Sequence, residues 1–381
     1  MSKQFVYMDY AAATPMDPAV VAAMQPYFTD IFYNPSAMYL AAKQAARDVG
    51  QARTNIASIL GCKPSEIIFT AGGTEANNLA ISGIMKQYPG SEVVVSAIEH
   101  ESVLQSAEQY KTTLATVDKY GLVDLVALKR AISDKTVLVS IMYANNEVGT
   151  IQPIRQIAEM INELQQNRKK DNNNLPLFLH TDACQAPAYL DIHTSRLGVD
   201  MMTLNAGKIY GPKQCGLLFV RTGMVVQPQI LGGGQERNMR SGTENVAAVV
   251  GMAKALELVQ QNRKNEVVGM QQLHQLFIKE LTAKIPQAII NGSTKQRLPN
   301  NIHLTLPGHD NERLMMELDE RGIACAVGSA CSASNEEPSH VLAAMGLTVD
   351  DIQASLRFTM GKHTTQNDIK TVVDTLAAVI A

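Results

Sequence analysis

Short apolar runs that alternate with amphipathic stretches constrain the fold of this chain more than any other feature. The apolar runs are 66–70, 92–96, 136–142, 175–180, 201–204 and 216–220. Helical patterns such as 74–87 and 153–166 separate most of them. Continuous apolar strands between helices are typical of a mostly parallel sheet that is covered on both faces. The sequence therefore predicts an α/β fold.

The length of 381 residues exceeds that of a usual single domain, which favours one large and one small domain. Residues 242–285 have the pattern of long helices, and an α+β pattern follows them. We predict a large domain at 16–259 and a small domain formed by 1–15 together with 260–381. The polar, low-complexity segment 165–174 is predicted to be a solvated surface loop.

Composition and charge exclude several classes of function. The net charge of −3, the absence of Trp and an aromatic content of 5% disfavour nucleic acid as a partner. No signal-peptide pattern and no apolar run long enough to span a membrane occur. The 5 cysteines are scattered without CxxC spacing, which indicates reduced thiols and no metal site. We expect a cytoplasmic protein that binds neither membrane nor nucleic acid.

Lys208 is the residue with the most informative setting. The apolar run 201–204 leads to it, and Gly211 and Pro212 then turn the chain. A lysine that is partly withdrawn from water has its ammonium form disfavoured. The free amine can form a Schiff base with a carbonyl group. Lys208 is therefore a candidate catalytic residue, provided that the rest of the chain supplies partners for it.

Gly73 and Thr74 follow the first strand of this region and open a helix. Backbone N–H groups near glycines and the amino end of a helix both attract anions. These two residues are candidate phosphate ligands. The alternative is an N-capped loop that binds nothing.

Other strands are followed by polar side chains as well. His100, Asn146, Asp182 and Gln185 all come shortly after predicted strands. Ligands of open parallel sheets bind outside the carboxyl ends of the strands. His100 could stack on a flat ring or be a structural histidine. Asp182 at a strand end suits a pyridinium nitrogen, which it would keep protonated so that the ring withdraws electrons.

Two residues in the last third of the chain complete the candidate site. Cys331 lies in the small, polar run 328–338, where a thiol can be accessible and reactive, or else an incidental surface cysteine. Arg357 lies in the apolar run 355–358 and needs an anionic partner. That partner is either a substrate carboxylate or an acid of the protein. Cys325 is predicted to belong to a strand core.

Together these residues resemble the cysteine desulfurases, within the class V aminotransferase group of pyridoxal-phosphate enzymes. The resemblance runs almost from end to end, and the loop around Cys331 is similar to that of the group I branch. The motifs that carry it are 8–15, 34–36, 73–75, 99–100, 145–149, 182–185, 208–213, 232–236, 240–243 and 328–331. It implies the pyridoxal-phosphate transferase fold type I, with a mostly parallel central sheet flanked by helices and a smaller α+β domain that carries a mobile cysteine loop.

The resemblance also implies a role for each site residue. Lys208 holds pyridoxal 5′-phosphate and moves the Cα proton, and Cys331 attacks the substrate sulfur. His100 stacks over the ring and is a further catalytic residue that assists proton transfer. Arg357 and Asn34 bind the substrate. The residues implied to contact the cofactor are Gly73, Thr74, His100, Asn146, Asp182, Gln185, Asn205, Lys208 and Thr243.

The implied reaction converts L-cysteine to L-alanine and leaves the sulfur on Cys331 as a persulfide. A sulfur-acceptor protein then receives it, for iron–sulfur cluster assembly or for thiolation of tRNA or a cofactor. A homodimer is expected because Thr243 would complete the neighbouring subunit's site. The chain lacks the C-terminal tail with which housekeeping members dock their scaffold, which disfavours delivery to such a scaffold.

The chain departs from the family at several positions. Gly207 and Asn205 stand where a histidine and a serine usually contact the phosphate. Phosphate binding is therefore expected to be weaker or to depend on other residues. Tyr39 replaces a common histidine, and Cys184 replaces a usual threonine. Two alternatives therefore stay open: a selenocysteine lyase or other β-eliminating enzyme, and a cofactor-poor homologue without catalysis.

Overall fold

The computed structural model describes residues 5–328 and 338–381. Cys331, the predicted nucleophile, lies outside the described residues. The strands are β1 Val6–Tyr7, β2 Ile67–Thr70, β3 Glu92–Ser96, β4 Lys111–Ala115, β5 Thr136–Ser140, β6 Phe178–Asp182, β7 Met201–Asn205, β8 Gly216–Val220, β9 Ile289–Ile290, β10 Asn301–Thr305, β11 Ile323–Ala324 and β12 Ser355–Thr359. The α-helices are α1 Pro18–Met24, α2 Pro26–Thr29, α3 Leu40–Leu60, α4 Gly73–Gln87, α5 Glu101–Ala107, α6 Leu125–Ala131, α7 Ile154–Lys170, α8 Thr194–Leu197, α9 Val246–Lys284, α10 Asn311–Glu320, α11 His340–Ala344, α12 Val349–Gln353 and α13 Gln366–Ile380.

The central sheet has the strand order β2-β8-β7-β6-β5-β3-β4 within the described residues. The pairs from β4 through β3, β5 and β6 to β7 are parallel, whereas β8 is antiparallel to both β7 and β2. The predicted mostly parallel sheet is therefore confirmed. Parallel pairing brings the carboxyl ends of β5, β6 and β7 to one edge, where the candidate site lies.

Both faces of this sheet are buried, which explains why its strands read as continuous apolar runs. In β3, Val94 packs into a core shared with α3 and α9, while Val93 and Val95 face a core formed with α4 and α5. Successive side chains of a strand point to opposite faces, so both faces must be apolar. Burying one such side chain contributes roughly 1.5–3 kcal/mol.

The smaller part of the structure is an α+β arrangement, as predicted. Strand β10 pairs antiparallel with β12 and β9, and β1 pairs parallel with β11. Helix α9 has 39 residues, where several helices were expected between 242 and 285. Its first turns belong to the core under the central sheet, and Phe277 belongs to the core under the small sheet. The predicted domain boundary after residue 259 lies inside this helix and stays a prediction.

Two local expectations are wrong. Strand β4 was not predicted, because it is the exposed edge of the sheet and its residues are mostly polar. The predicted surface loop 165–174 is helical up to Lys170. Arg168 is buried there, and its guanidinium donates to the backbone carbonyls of Thr136 at 2.8 Å and Ser133 at 2.5 Å. Those contacts tie the last turn of α7 to the start of β5.

We expect replacement of Arg168 by methionine, which keeps the apolar stem, to lower the free energy of unfolding by about 1–3 kcal/mol. The reason is that buried carbonyl groups lose their donors. The matched control is Arg155→Met on the same helix, since Arg155 is exposed and only pairs with Glu159. It should change stability by less than about 0.5 kcal/mol. Urea unfolding followed by circular dichroism measures both variants, and equal effects would contradict the assignment.

Candidate active site

A cavity of about 210 Å³ opens at the carboxyl ends of β5, β6 and β7. The segment before α1 and strand β12 close it from the side of the small sheet. Its lining residues are Ala11, Ala12, Gly73, Thr74, Asn77, His100, Ser102, Met142, Ala144, Asn146, Asp182, Cys184, Gln185, Asn205, Lys208 and Arg357. Most of the side chains predicted from the ends of separate strands therefore meet around one space.

Lys208 ends a short 3₁₀ turn that directly follows β7. Its Nζ donates to the carbonyl oxygens of Ala11 at 2.7 Å and Ala12 at 2.6 Å. These two carbonyl groups hold the amine in position. This arrangement suits a lysine that must present its nitrogen to a carbonyl carbon.

Asp182 is the last residue of β6 and is buried. Asn77 Nδ2 donates to its Oδ2 at 2.7 Å, and the Cys184 N–H donates to its Oδ1 at 2.9 Å. Within the described ranges, no lysine or arginine forms an ion pair with it. A buried carboxylate without a cation is costly, so a cationic ligand group fits at this position.

His100 caps the amino end of α5. The Ser102 N–H donates to its Nδ1 at 3.0 Å, which assigns the ring proton to Nε2. The imidazole lines the same cavity as Lys208 and Asp182. A flat ring between Lys208 and Asp182 would thus have His100 beside it.

The amino end of α4 begins at Gly73 and lies at the other end of the cavity. A Cβ at this position would approach Cys184 Sγ to 2.9 Å and Asn205 Cβ to 3.5 Å. Glycine therefore keeps the helix terminus open to a ligand. Asn205 Oδ1 accepts the Gly207 N–H at 3.1 Å, and its amide group lies near Gly73. The site offers N–H donors to an anion here.

Arg357 in β12 lies in the same cavity and is fixed by contacts with two other segments. Its Nη2 donates to Asp9 Oδ1 at 2.7 Å, and its Nη1 donates to the Asn146 carbonyl at 3.0 Å. The salt bridge that sequence reasoning kept as an alternative is therefore present. Arg357 also lines the cavity, so binding of a substrate carboxylate stays a prediction.

The comparisons with known proteins agree with this geometry. The family model for class-V aminotransferases matches residues 6–372. The chain belongs to that family. A cysteine desulfurase IscS of Dictyoglomus turgidum is 38% identical, over 99% of this chain and 95% of its own length.

Two solved structures are similar over most of their length. A NifS-like protein has a TM-score of 0.90 at 29% identity, covering 99% of both chains. SspA in complex with cysteine has a TM-score of 0.81 at 32% identity, covering 94% of this chain and 100% of its own. The predicted family, fold type and pyridoxal-phosphate cofactor are thereby confirmed. The residues described above fit that cofactor, since they provide an amine, a buried carboxylate and an anion-binding helix end.

Two predicted site residues of this chain, Asn34 and Thr243, are not among the described residues that line the cavity. Asn34 lies in a turn where its Oδ1 accepts the Ser36 N–H at 2.9 Å. Thr243 lies in an exposed segment just before α9. Cys331 is beyond the described ranges. Their roles stay predictions.

Sequence reasoning missed other residues that shape the site. Asn77 lies one helical turn after Gly73, so its place on the same face of α4 was available from helix spacing. The carbonyl groups of Ala11 and Ala12 left no signal in the sequence pattern. Cys184 lines the cavity, but burial raises the pKa of its thiol well above the ordinary value, and the charge of Asp182 adds to the rise. It is therefore an unreactive thiol at neutral pH.

Residues 5–328 and 338–381 contain no cluster of three or more His, Cys, Asp or Glu side chains that could hold a metal ion. Within the same ranges, no helix combines the length and the apolar character that a membrane crossing requires.

Substituting leucine for Asn77 should weaken pyridoxal-phosphate binding by about tenfold or more. Asp182 then loses one of its two hydrogen bonds, and a hydrogen bond to a charged group contributes roughly 1.5–3 kcal/mol. Titration of the cofactor-free protein, followed by the absorbance of the lysine-bound cofactor, gives the affinity. The control is Asn55→Leu, because Asn55 is an exposed residue of α3. Unchanged affinity in Asn77→Leu would show that this contact is dispensable.

Glu99 gives a pH-dependent prediction. Burial raises its pKa well above the ordinary value, with a further rise from Asp182. The folded protein therefore retains a proton that the unfolded chain loses above about pH 4.5, and stability falls as pH rises towards the folded-state pKa. Glu99→Gln removes this loss.

The variant should become more stable relative to the wild type between pH 5 and pH 8, by up to about 1.4 kcal/mol for each pH unit. Urea unfolding at several pH values measures the difference. The control is Glu108→Gln, since Glu108 is exposed at the end of α5. It should show no such trend. A pH-independent difference for Glu99→Gln would refute the protonated state.

Proposed function

We propose that this chain is a pyridoxal-phosphate-dependent cysteine desulfurase, which converts L-cysteine to L-alanine and transfers the sulfur to its own Cys331. The observation that carries the proposal is one cavity that joins the Lys208 amine, the Asp182 carboxylate and the Arg357 guanidinium. Full-length similarity to cysteine desulfurases supports the choice of substrate. So does the likeness to SspA in complex with cysteine.

Separate residues would hold each part of the cofactor. Lys208 binds its aldehyde carbon, Asp182 pairs with its ring nitrogen, and His100 stacks on the ring. Gly73 and Thr74 receive the phosphate through their backbone N–H groups. When bound, pyridoxal phosphate supplies an electron sink for negative charge that develops at the substrate Cα.

The remaining polar residues orient these groups. Asn205 donates towards the phosphate, and Asn146 and Gln185 face the phenolic oxygen. Gln185 Nε2 donates to the Ala11 carbonyl at 3.0 Å, so it is fixed to the same backbone group that holds Lys208.

Substrate L-cysteine is oriented by Arg357. This side chain is 1% exposed, and its Nε–H makes no hydrogen bond within the described residues. The guanidinium therefore keeps a donor for the substrate carboxylate, although Asp9 and the Asn146 carbonyl use the other two nitrogens. Asn34 is a second substrate contact by resemblance.

Lys208 moves the proton. With substrate and cofactor bound, its amine would take the proton from the substrate Cα. The carbonyls of Ala11 and Ala12 keep the nitrogen within reach of that atom. This position is fixed before the substrate arrives, which lowers the entropy cost of the step.

Cys331 then accepts the sulfur. Its thiolate attacks the substrate sulfur, an S–S bond forms, and the C–S bond breaks. The electron pair of that bond stays on the carbon, which is protonated to give alanine. The persulfide passes to an acceptor protein, in iron–sulfur cluster assembly or in thiolation of tRNA or a cofactor. Cys184 does not compete, because desolvation raises the pKa of its thiol and keeps it protonated.

The protein is proposed to act as a cytoplasmic homodimer that binds neither nucleic acid nor membrane. The net charge of −3 supports the last two points. Exposed apolar side chains in 28–40 and at Leu231 support a covered interface, since the exposed fractions are 65% for Phe32, 88% for Met38 and 79% for Leu231. Thr243 would reach the phosphate of the neighbouring subunit.

Replacing Cys331 by alanine is expected to abolish sulfide release from L-cysteine in the presence of a reductant, while the absorbance of the lysine-bound cofactor stays unchanged. The nucleophile is lost, but none of the cofactor contacts is. Cys184→Ala is the matched control and should retain at least about half of the rate, since a protonated thiol takes no part in the attack.

Unchanged sulfide release in Cys331→Ala would refute the assignment of the acceptor. A parallel assay with L-selenocysteine separates the remaining alternatives. Turnover of selenocysteine alone would identify a lyase, and a protein that never binds pyridoxal phosphate would be the non-catalytic homologue.

A further inference from the structure

A second cavity, of about 530 Å³, lies beside the first at the amino end of α4. It is the space next to the predicted phosphate position. Its lining residues are Ala12, Ala13, Ala71, Gly72, Gly73, Thr74, Glu75, Asn78, Asn205, Gly207, Lys208, Lys213, Gln214 and Gln229. A phosphate at Gly73 would therefore face the segment 205–214 across this opening.

Two cationic side chains, Lys208 and Lys213, are found among these described lining residues. The amine of Lys208 is committed to the cofactor aldehyde. The carboxylate of Glu75 is already bound, because Arg240 Nε donates to it at 2.8 Å and the Ala71 N–H donates at 2.8 Å. Lys213 is thus the cation that a phosphate dianion would meet at this end of the site.

Gly207 lies beside both Lys213 and Asn205. A Cβ built at Gly207 would lie 3.7 Å from Lys213 Cγ and 3.5 Å from Asn205 Oδ1. A larger side chain at 207 would therefore occupy the space between Lys213 and Asn205, and glycine leaves it open. Lys213 Nζ donates to the Thr14 carbonyl at 2.5 Å, which uses one of its three N–H groups.

The backbone after Lys213 is also unusual. Gln214 lines the same cavity and has φ of 56°, in the left-handed region that residues other than glycine rarely adopt. Backbone strain of this kind collects at ligand sites, where the surrounding structure holds it. The turn that presents Lys213 is therefore held by its surroundings and not by local preference.

We infer that Lys213 binds the phosphate of pyridoxal phosphate and supplies the positive charge at that end of the site. The inference rests on the proposed function, in which Gly73 and Thr74 receive the phosphate. Lys213 reaches it across the space that Gly207 leaves open, and its other N–H groups donate to the phosphate oxygens. Charge-assisted hydrogen bonds of this type are the stronger ones.

The test compares pyridoxal phosphate with pyridoxal, which lacks the phosphate. The cofactor-free protein is titrated with each, and the absorbance of the lysine-bound form gives the dissociation constants. Lys213→Met should weaken binding of pyridoxal phosphate about tenfold or more and change that of pyridoxal less than about twofold. Lys213→Arg should restore most of the affinity. The control Lys254→Met removes a charge on α9, where Lys254 pairs with Glu257, and should change neither.

Each other result overturns the inference. Equal weakening of both ligands in Lys213→Met would mean that the lysine only supports the segment around Thr14. No weakening of either would mean that the phosphate is held without it. The same titration with Lys213→Gln gives an independent comparison if the methionine variant does not fold. A wild type that binds neither ligand would refute the proposed function itself, which is a different result from either of these.

Discussion

Parallel pairing of β5, β6 and β7 is the constraint on which the site depends. The hydrogen bonds of these strands fix their carboxyl ends at one edge of the sheet, so the residues that follow them must come together. Asp182 ends β6, and Lys208 ends the turn after β7. Their separation is therefore set by strand geometry and not by loops. A rigid sheet positions a carboxylate and an amine more accurately than flexible segments could.

The segment before α1 connects this edge to the small sheet. Asp9 binds Arg357, and two residues later the Ala11 carbonyl accepts from both Lys208 and Gln185. Lys208 and Arg357, which both line the cavity, are thus hydrogen-bonded to one short stretch of chain. A change in the position of the small sheet would move Asp9 and Ala11 together. Lys208 and Arg357 are therefore both positioned by hydrogen bonds to the segment 9–12.

Much of the fold could be predicted because the strands of the central sheet are buried on both faces, and their apolar runs mark them directly. The exception, β4, lies at the sheet edge, where no burial demands apolar residues. Helix α7 continues into a polar segment because Arg168 finds backbone carbonyls of another strand, a long-range contact that no local pattern contains. In the site, side chains at strand ends were predictable. The carbonyls of Ala11 and Ala12 were not, because every residue has one.

Burial shifts the pKa values of three ionisable groups that lie near Asp182. Burial raises the pKa of Glu99 and of Cys184 well above their ordinary values, and it lowers the pKa of His180 to about 4. His180 is therefore neutral at neutral pH and supplies no positive charge to the carboxylate. In such surroundings the attraction of a carboxylate for a cation is stronger than in water. In the proposed function, the protonated ring nitrogen of the cofactor would pair with Asp182, and that interaction would keep the ring an effective electron sink.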